Sequence, residues 1–227
     1  MALLRWLVPL VLAFAPAAAW ARPPHPNWTA AVAVTPAGGH LIGNPAAKVK
    51  VIEYISYTCP HCARFQQQSE APLRLGYIQP GTVSVEVRHL VRDPIDMTAA
   101  MLTNCGDPSR FAGNHSALLL GQNRWMAAEE GFSDAQRARW DSGPMPARLR
   151  AIANDFGLYA LLEPRGYTRA QLDRCLADGA MLKRLATQRT EAIRLGVEGT
   201  PAFLLDGALL AGTYDWQSLE AQIKARL

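Results

Sequence analysis

Two cysteines, Cys59 and Cys62, stand where a run of β-branched and apolar residues meets a stretch of helical spacing. Val49, Val51, Ile52, Tyr54 and Ile55 give Val49 to Ser56 the pattern of a buried strand. The chain then turns at Thr58, and a helix is expected from about Cys59 towards Leu75. Pro60 suits its first turn, where a missing N–H costs nothing. Pro72 should kink or end it. This junction places a strand end, a tight turn and a helix N-terminus at one point. Cys59 occupies the first turn, among unsatisfied backbone N–H groups, and Cys62 follows on the same face.

The chemistry follows from that placement. A thiol attacks, or leaves, as the thiolate, and an ordinary cysteine with a pKa near ~8.5 is mostly protonated at neutral pH. The helix macrodipole supplies up to ~2 kcal/mol, or at most ~1.5 pKa units. Direct hydrogen bonds to the sulfur, at ~1.5–3 kcal/mol each, must supply the rest. The candidate donors are the Cys62 thiol, the N–H of His61 or Cys62, and the His61 ring. Cys59 is therefore read as the exposed sulfur that exchanges with substrate, and Cys62 as the deeper one that resolves the mixed disulfide. The dipeptide Pro60-His61 should tune the redox direction. C-x-x-C is also half a zinc site, or a structural clip. No second C-x-x-C or close His pair completes four ligands, so neither metal nor cofactor is expected beyond the disulfide itself.

The N-terminus gives the compartment. One charge in Met1 to Arg5, an uncharged apolar run from Trp6 to Trp20, and Ala19-Trp20-Ala21 read as a secretory signal cleaved after Ala21. The run, interrupted by Pro9 and Pro16, is short for a spanning helix. Export permits disulfides. Besides the close pair, Cys105 and Cys175 remain. A structural bridge between them is the simplest reading; two inert thiols or a second redox pair are the alternatives. The net charge is +4, but its 23 basic residues, 19 of them arginine, are scattered, which argues for solvated helix faces and against nucleic-acid binding. His25, His40 and His115 form no sequence cluster and read as surface or core histidines.

Along the rest of the chain, 22–40 reads as a leader, exposed at its proline-rich start. Thr82 to Val91 reads as a strand with Val83, Val85 and Val87 on one face. Helices are expected at Met97 to Asn104, Arg110 to Gln122, Ala147 to Leu162, Thr168 to Ala177 (with a Thr168/Gln171 capping box) and Met181 to Leu195. Pro201 to Leu205 and Ala208 to Gly212 should pair through an Asp206-Gly207 turn, before a last helix from about Asp215. This gives an α/β domain, 41–95 and 179–227, interrupted by a helical insertion, 96–178.

The strand Val51-Ile52-Glu53-Tyr54-Ile55-Ser56-Tyr57, Cys59-Pro60-His61-Cys62 and Gly199-Thr200-Pro201 together resemble the DsbA-type periplasmic thiol oxidases. The likeness implies a thioredoxin fold with a helical insertion and disulfide donation to exported polypeptides. It makes Cys59 the nucleophile, Cys62 the resolving cysteine, and Pro60 and His61 the tuning pair. It makes Pro201 a cis-proline, with Thr200 before it offering strand-like hydrogen bonds to substrate. Glu53, a lone acid in an apolar strand, corresponds to a buried acid that relays a proton to or from Cys62. The family often pairs this acid with a lysine, which Thr82 to Val91 lacks.

The resemblance also implies a monomer that binds reduced or unfolded exported polypeptides and is recycled by a membrane protein, DsbB-like, or DsbD-like if the enzyme works reductively. Isomerases of this fold carry a dimerisation domain, for which the roughly 27 residues between Ala21 and Val49 are too few. A reductase or isomerase, and a peptide-binding module with an incidental C-x-x-C, are the competing functions.

Overall fold

The computed structural model describes residues 26–227; the expected signal segment and His25 lie outside them. Six strands form one sheet: β1 (Val32–Val34), β2 (His40–Gly43), β3 (Val49–Ile55), β4 (Val83–His89), β5 (Ala202–Leu205) and β6 (Ala208–Leu209). Their order is β1-β2-β4-β3-β5-β6. β3 and β4 run parallel, joined through helix α1 (Pro60–Leu73), and every other neighbour pair is antiparallel. The remaining helices are α2 (Pro94–Thr103), α3 (Phe111–Leu120), α4 (Gln122–Met126), α5 (Asp134–Asp141), α6 (Met145–Asp155), α7 (Leu158–Leu162), α8 (Arg169–Cys175), α9 (Gly179–Arg194) and α10 (Trp216–Lys224).

Apolar residues cover both faces of the sheet. Val49, Val51 and Ile55 of β3 and Val83, Val85 and Val87 of β4 join the core that includes Phe65 of α1 and Leu219 and Ile223 of α10. On the other face Tyr54, Ala202 and Leu204 pack with Ala192 of α9 and Val197. All seven residues of β4 are buried, so its expected one-sided alternation gives way to the two-sided burial of an interior strand. Its charged residues are matched rather than solvated. Arg88 donates to Glu86 at 2.8 and 3.0 Å and pairs with Glu191 of α9 at 3.1 Å, while Thr35 donates to Glu86 at 2.6 Å.

These bonds also explain a departure from the sequence reading. The segment 22–40 is a leader only in part: from Val32 it forms β1, and His40 is buried in β2. β2 pairs with β4 from His40↔Val87 to Gly43↔Ser84. The histidines read singly in sequence meet in space, because His40 stacks on Phe111 at 3.8 Å and His115 lies 5.6 Å from the same ring. Burial lowers the pKa of both to about 3, so both are neutral near neutral pH.

Helix breaks account for the other differences. The expected helix 110–122 is divided at Gly121, where an added Cβ would stand 2.8 Å from the Ala117 carbonyl oxygen. The expected 147–162 helix divides at Gly157, which has φ +66°. α1 ends at Leu73, one residue past Pro72, and the chain widens there into a π turn over Arg74–Ile78. α5 was not anticipated, although Ser133 and Gln136 form a capping box at its start. The Thr168/Gln171 box is present as expected. Asp206 and Gly207 turn the β5–β6 hairpin with φ of 49° and 86°, and the return strand is shorter than the expected Ala208 to Gly212.

Cys105, just beyond α2, is bonded to Cys175 at the end of α8, 70 residues away. A closed loop of this length contributes about 4 kcal/mol by chain entropy. Cys105→Ser/Cys175→Ser should therefore lower the unfolding free energy by about that amount, measured by urea denaturation with Cys59 and Cys62 oxidised.

Candidate active site

Cys59 is the N-cap residue of α1, with φ −88° and ψ 117°, and Pro60 takes the first turn. The Cys59 carbonyl accepts from Cys62 N–H at 3.1 Å and Ala63 N–H at 3.3 Å, so the helix begins directly behind the sulfur. Antiparallel pairing sets Tyr54 of β3 opposite Ala202 of β5, which brings the residues after one strand beside those before the other. Thr200-Pro201 is cis, and Cys59 Sγ donates to the Thr200 carbonyl at 3.1 Å. Cys59, Cys62, Thr200 and Pro201, 141 residues apart along the chain between Cys59 and Thr200, thus share one site.

One expectation requires correction. Cys59 is not openly exposed: its residue exposure is 3%, against 0% for Cys62. The Thr200-Pro201 loop lies against its sulfur and removes the solvent that a bare helix end would leave. Both thiols are free.

The two sulfurs are nevertheless electrically unlike. The Cys59 pKa is lowered to about 5, first by the hydrogen bond from the Cys62 thiol, with the Thr200 side chain and the amides of Cys62 and His61 adding to it against the cost of burial. The Cys62 pKa is driven well above its ordinary value, mainly by burial and then by donating to Cys59. Hydrogen bonds to the charged form thus favour one thiolate, while desolvation suppresses the other. The His61 ring is exposed, and the residue acts on Cys59 through its backbone N–H.

Glu53 lies on the α1 side of β3, opposite Val87 and Phe203 in the register. It is 3% exposed, burial raises its pKa to about 8, and Oε1 has no hydrogen-bond partner. Near neutral pH it is therefore a protonated acid. It lines a cavity of about 600 Å³ between α1, α3 and the sheet, together with Gln66, Ser69 and His115. Burial, before any neighbouring group, pushes the Tyr57 phenol well above its ordinary value. The strand 83–89 offers Glu53 no lysine, and its Arg88 is engaged by Glu86.

The turn that carries Cys59 is held from the helical segment, by Asp93, Asp96 and Gln122, which the sequence reading did not single out, and by His115, which it read as a surface or core histidine. Tyr57 N–H donates to Asp96 Oδ1 at 2.7 Å, and Thr58 Oγ1 donates to Asp93 Oδ2 at 3.0 Å. Tyr57 OH meets His115 Nδ1 at 3.0 Å. Gln122 Nε2 donates to the carbonyls of Tyr57 at 2.7 Å and Cys59 at 2.9 Å. None of these contacts has a local sequence motif. Among the described residues no group of three or more His, Cys, Asp or Glu side chains could hold a metal ion.

The charge asymmetry has a measurable sign. The depressed Cys59 pKa stabilises the reduced state above about pH 5, and that advantage is lost as pH falls through this value. Reduction should take one proton per two electrons above pH 5, since Cys62 keeps its proton, and two below it. The potential should fall by about 30 mV per pH unit above the break and about 59 mV below it. Equilibration with glutathione across pH 4 to 8 measures both slopes, the break marking the Cys59 pKa of about 5.

Comparison with known proteins agrees with this geometry. The family described as Thioredoxin matches residues 35–225. A crystal structure of a protein-disulfide isomerase from Novosphingobium aromaticivorans is 51% identical, covers 83% of this chain and 97% of its own, and superposes with a TM-score of 0.79. α-DsbA1 of Wolbachia pipientis shares the fold at 19% identity, with a TM-score of 0.66 and coverage of 82% of this chain and 89% of its own. A protein of Rickettsia conorii, provisionally named a protein-disulfide oxidoreductase, is 25% identical over 82% of this chain. The chain spans about 60% of the length of the curated relatives it matches. It belongs to the thioredoxin family and has the fold of that family's DsbA-type members.

Proposed function

We propose that this protein is a protein dithiol:disulfide oxidoreductase that donates the Cys59–Cys62 disulfide to exported polypeptides. The observation that carries the proposal is the pairing of an acidic Cys59 with a high-pKa Cys62 beside the cis Thr200-Pro201 bond. A client thiolate attacks the Cys59 sulfur, and Cys62 leaves and takes a proton. The client's second thiolate then attacks the client sulfur of the mixed disulfide, and Cys59 leaves as the stable thiolate. Two electrons pass from client to enzyme, and no cofactor is needed.

Glu53, neutral at neutral pH, is the acid that protonates Cys62 and is itself recharged from solvent. Thr200 and Pro201 present the client backbone to Cys59. His61 and Pro60 act through the helix start they shape. A signal cleaved after Ala21 would deliver the enzyme to the periplasm, where it works as a monomer and a DsbB-like membrane protein restores the disulfide. Among the described residues no helix is long and apolar enough to cross a membrane. A second reading, isomerisation by the reduced pair, is favoured by the name of the Novosphingobium protein; its recycling partner would be DsbD-like.

The glutathione equilibrium separates the two. A potential well above that of the glutathione pool is expected, and a strongly reducing value would sink the oxidase. Cys59→Ser should abolish peptide oxidation, whereas a redox-independent peptide binder would keep its activity. Cys62→Ser should accumulate a mixed disulfide at Cys59 when given an oxidised peptide. Glu53→Gln should slow exchange on the order of 10²-fold in stopped-flow assays, with the largest loss near neutral pH.

A further inference from the structure

Helix α4 begins at the glycine break that ends α3, and its first residue reaches the redox turn. Gln122 is 3% exposed. Its single Nε2 donates to the carbonyl two residues before Cys59 and to that of Cys59 itself, at 2.7 and 2.9 Å across 65 and 63 residues of chain. Among the described residues the Cys59 carbonyl has no other hydrogen-bond donor outside α1.

We propose that Gln122 is a positioning residue of the redox site, fixing the backbone on both sides of Cys59 so that its sulfur is held at the mouth of helix α1. The proposal rests on the exchange chemistry above.

Two physical arguments carry it. First, pinning the carbonyls of residues 57 and 59 fixes the torsions between them, and with these the direction in which Cβ of Cys59 leaves the chain. That direction decides whether Sγ meets the Cys62 thiol, the amides and Thr200 together. Secondly, both carbonyls are oriented dipoles close to a sulfur that becomes negative. An amide donor on each compensates their negative ends; without it, the Tyr57 carbonyl stands unpaired and the Cys59 carbonyl keeps only its two α1 amides beside the anion. The helical segment would then set the acidity of a cysteine that it does not contain.

Gln122→Met keeps the length and volume of the side chain and removes the donor. It should fold, raise the Cys59 titration (followed by thiolate ultraviolet absorbance) by about one pH unit, and make the disulfide about tenfold less oxidising against glutathione. Asn123→Ala, an exposed neighbour on the same helix, should change neither. A Gln122→Met protein with a lower melting temperature but wild-type titration and glutathione equilibrium would overturn the proposal, leaving a structural bond only. The wild type gives a second test that needs no variant: the Gln122 side-chain amide resonances should follow the Cys59 titration, and their indifference to it would also overturn the proposal. A strongly reducing wild-type potential would refute the oxidase reading while leaving the shift between wild type and Gln122→Met to be read.

Discussion

The contact between Cys59 Sγ and the Thr200 carbonyl, 3.1 Å across 141 residues, depends on nearly every element of the fold. It requires β3 and β5 to be antiparallel neighbours in a register that places Tyr54 opposite Ala202. It requires the chain to turn within three residues of Ile55 and start a helix at Pro60. It requires the cis bond that turns the loop towards the sulfur. The burial that follows is costly to a thiolate, so the site must return that cost in hydrogen bonds. Cys59 receives several such bonds, whereas Cys62 bears the larger cost of burial and donates its own thiol, and this difference separates their roles.

Much of this was legible because it is local. A C-x-x-C after an apolar strand, a proline in the first helical turn, and an Asp-Gly hairpin each owe their form to residues a few positions apart. Glu53 stood out because an acid in an apolar strand has few places to go. The elements that were not legible depend on partners far away. β1 and β2 are short and only partly apolar, and they acquire their strand character by pairing beside β4 and through the Thr35–Glu86 bond. Gln122 had no signal: an amide side chain near a glycine has no charge or spacing that predicts a contact with residues 57 and 59. Ser133 and Gln136 did carry a readable cap, but the polar surface around α5 masked it. The exposure assigned to Cys59 failed for a related reason. A helix N-terminus alone would be open, and the loop against it comes from the far end of the chain.

The helical segment and the sheet therefore divide the work unevenly. Strands and α1 supply the reacting sulfurs, the buried acid and the cis-proline loop. Asp93, Asp96, His115 and Gln122 grip the turn between them, through its amide, hydroxyl, phenol and carbonyl groups. Cys105 and Cys175 tie the end of α2 to the end of α8 and so brace the body from which that grip is made.

The outer strands of the sheet are three and two residues long. On the proposed function the protein would meet unfolded chains with unsatisfied backbone groups, and a long free edge would invite them to add as further strands. Edges this short give such a chain little to zip onto. On the same reading, what it could grip is the loop at Thr200-Pro201, beside the sulfur, so an extended client would be steered to the place where it can react and denied the places where it could only stick.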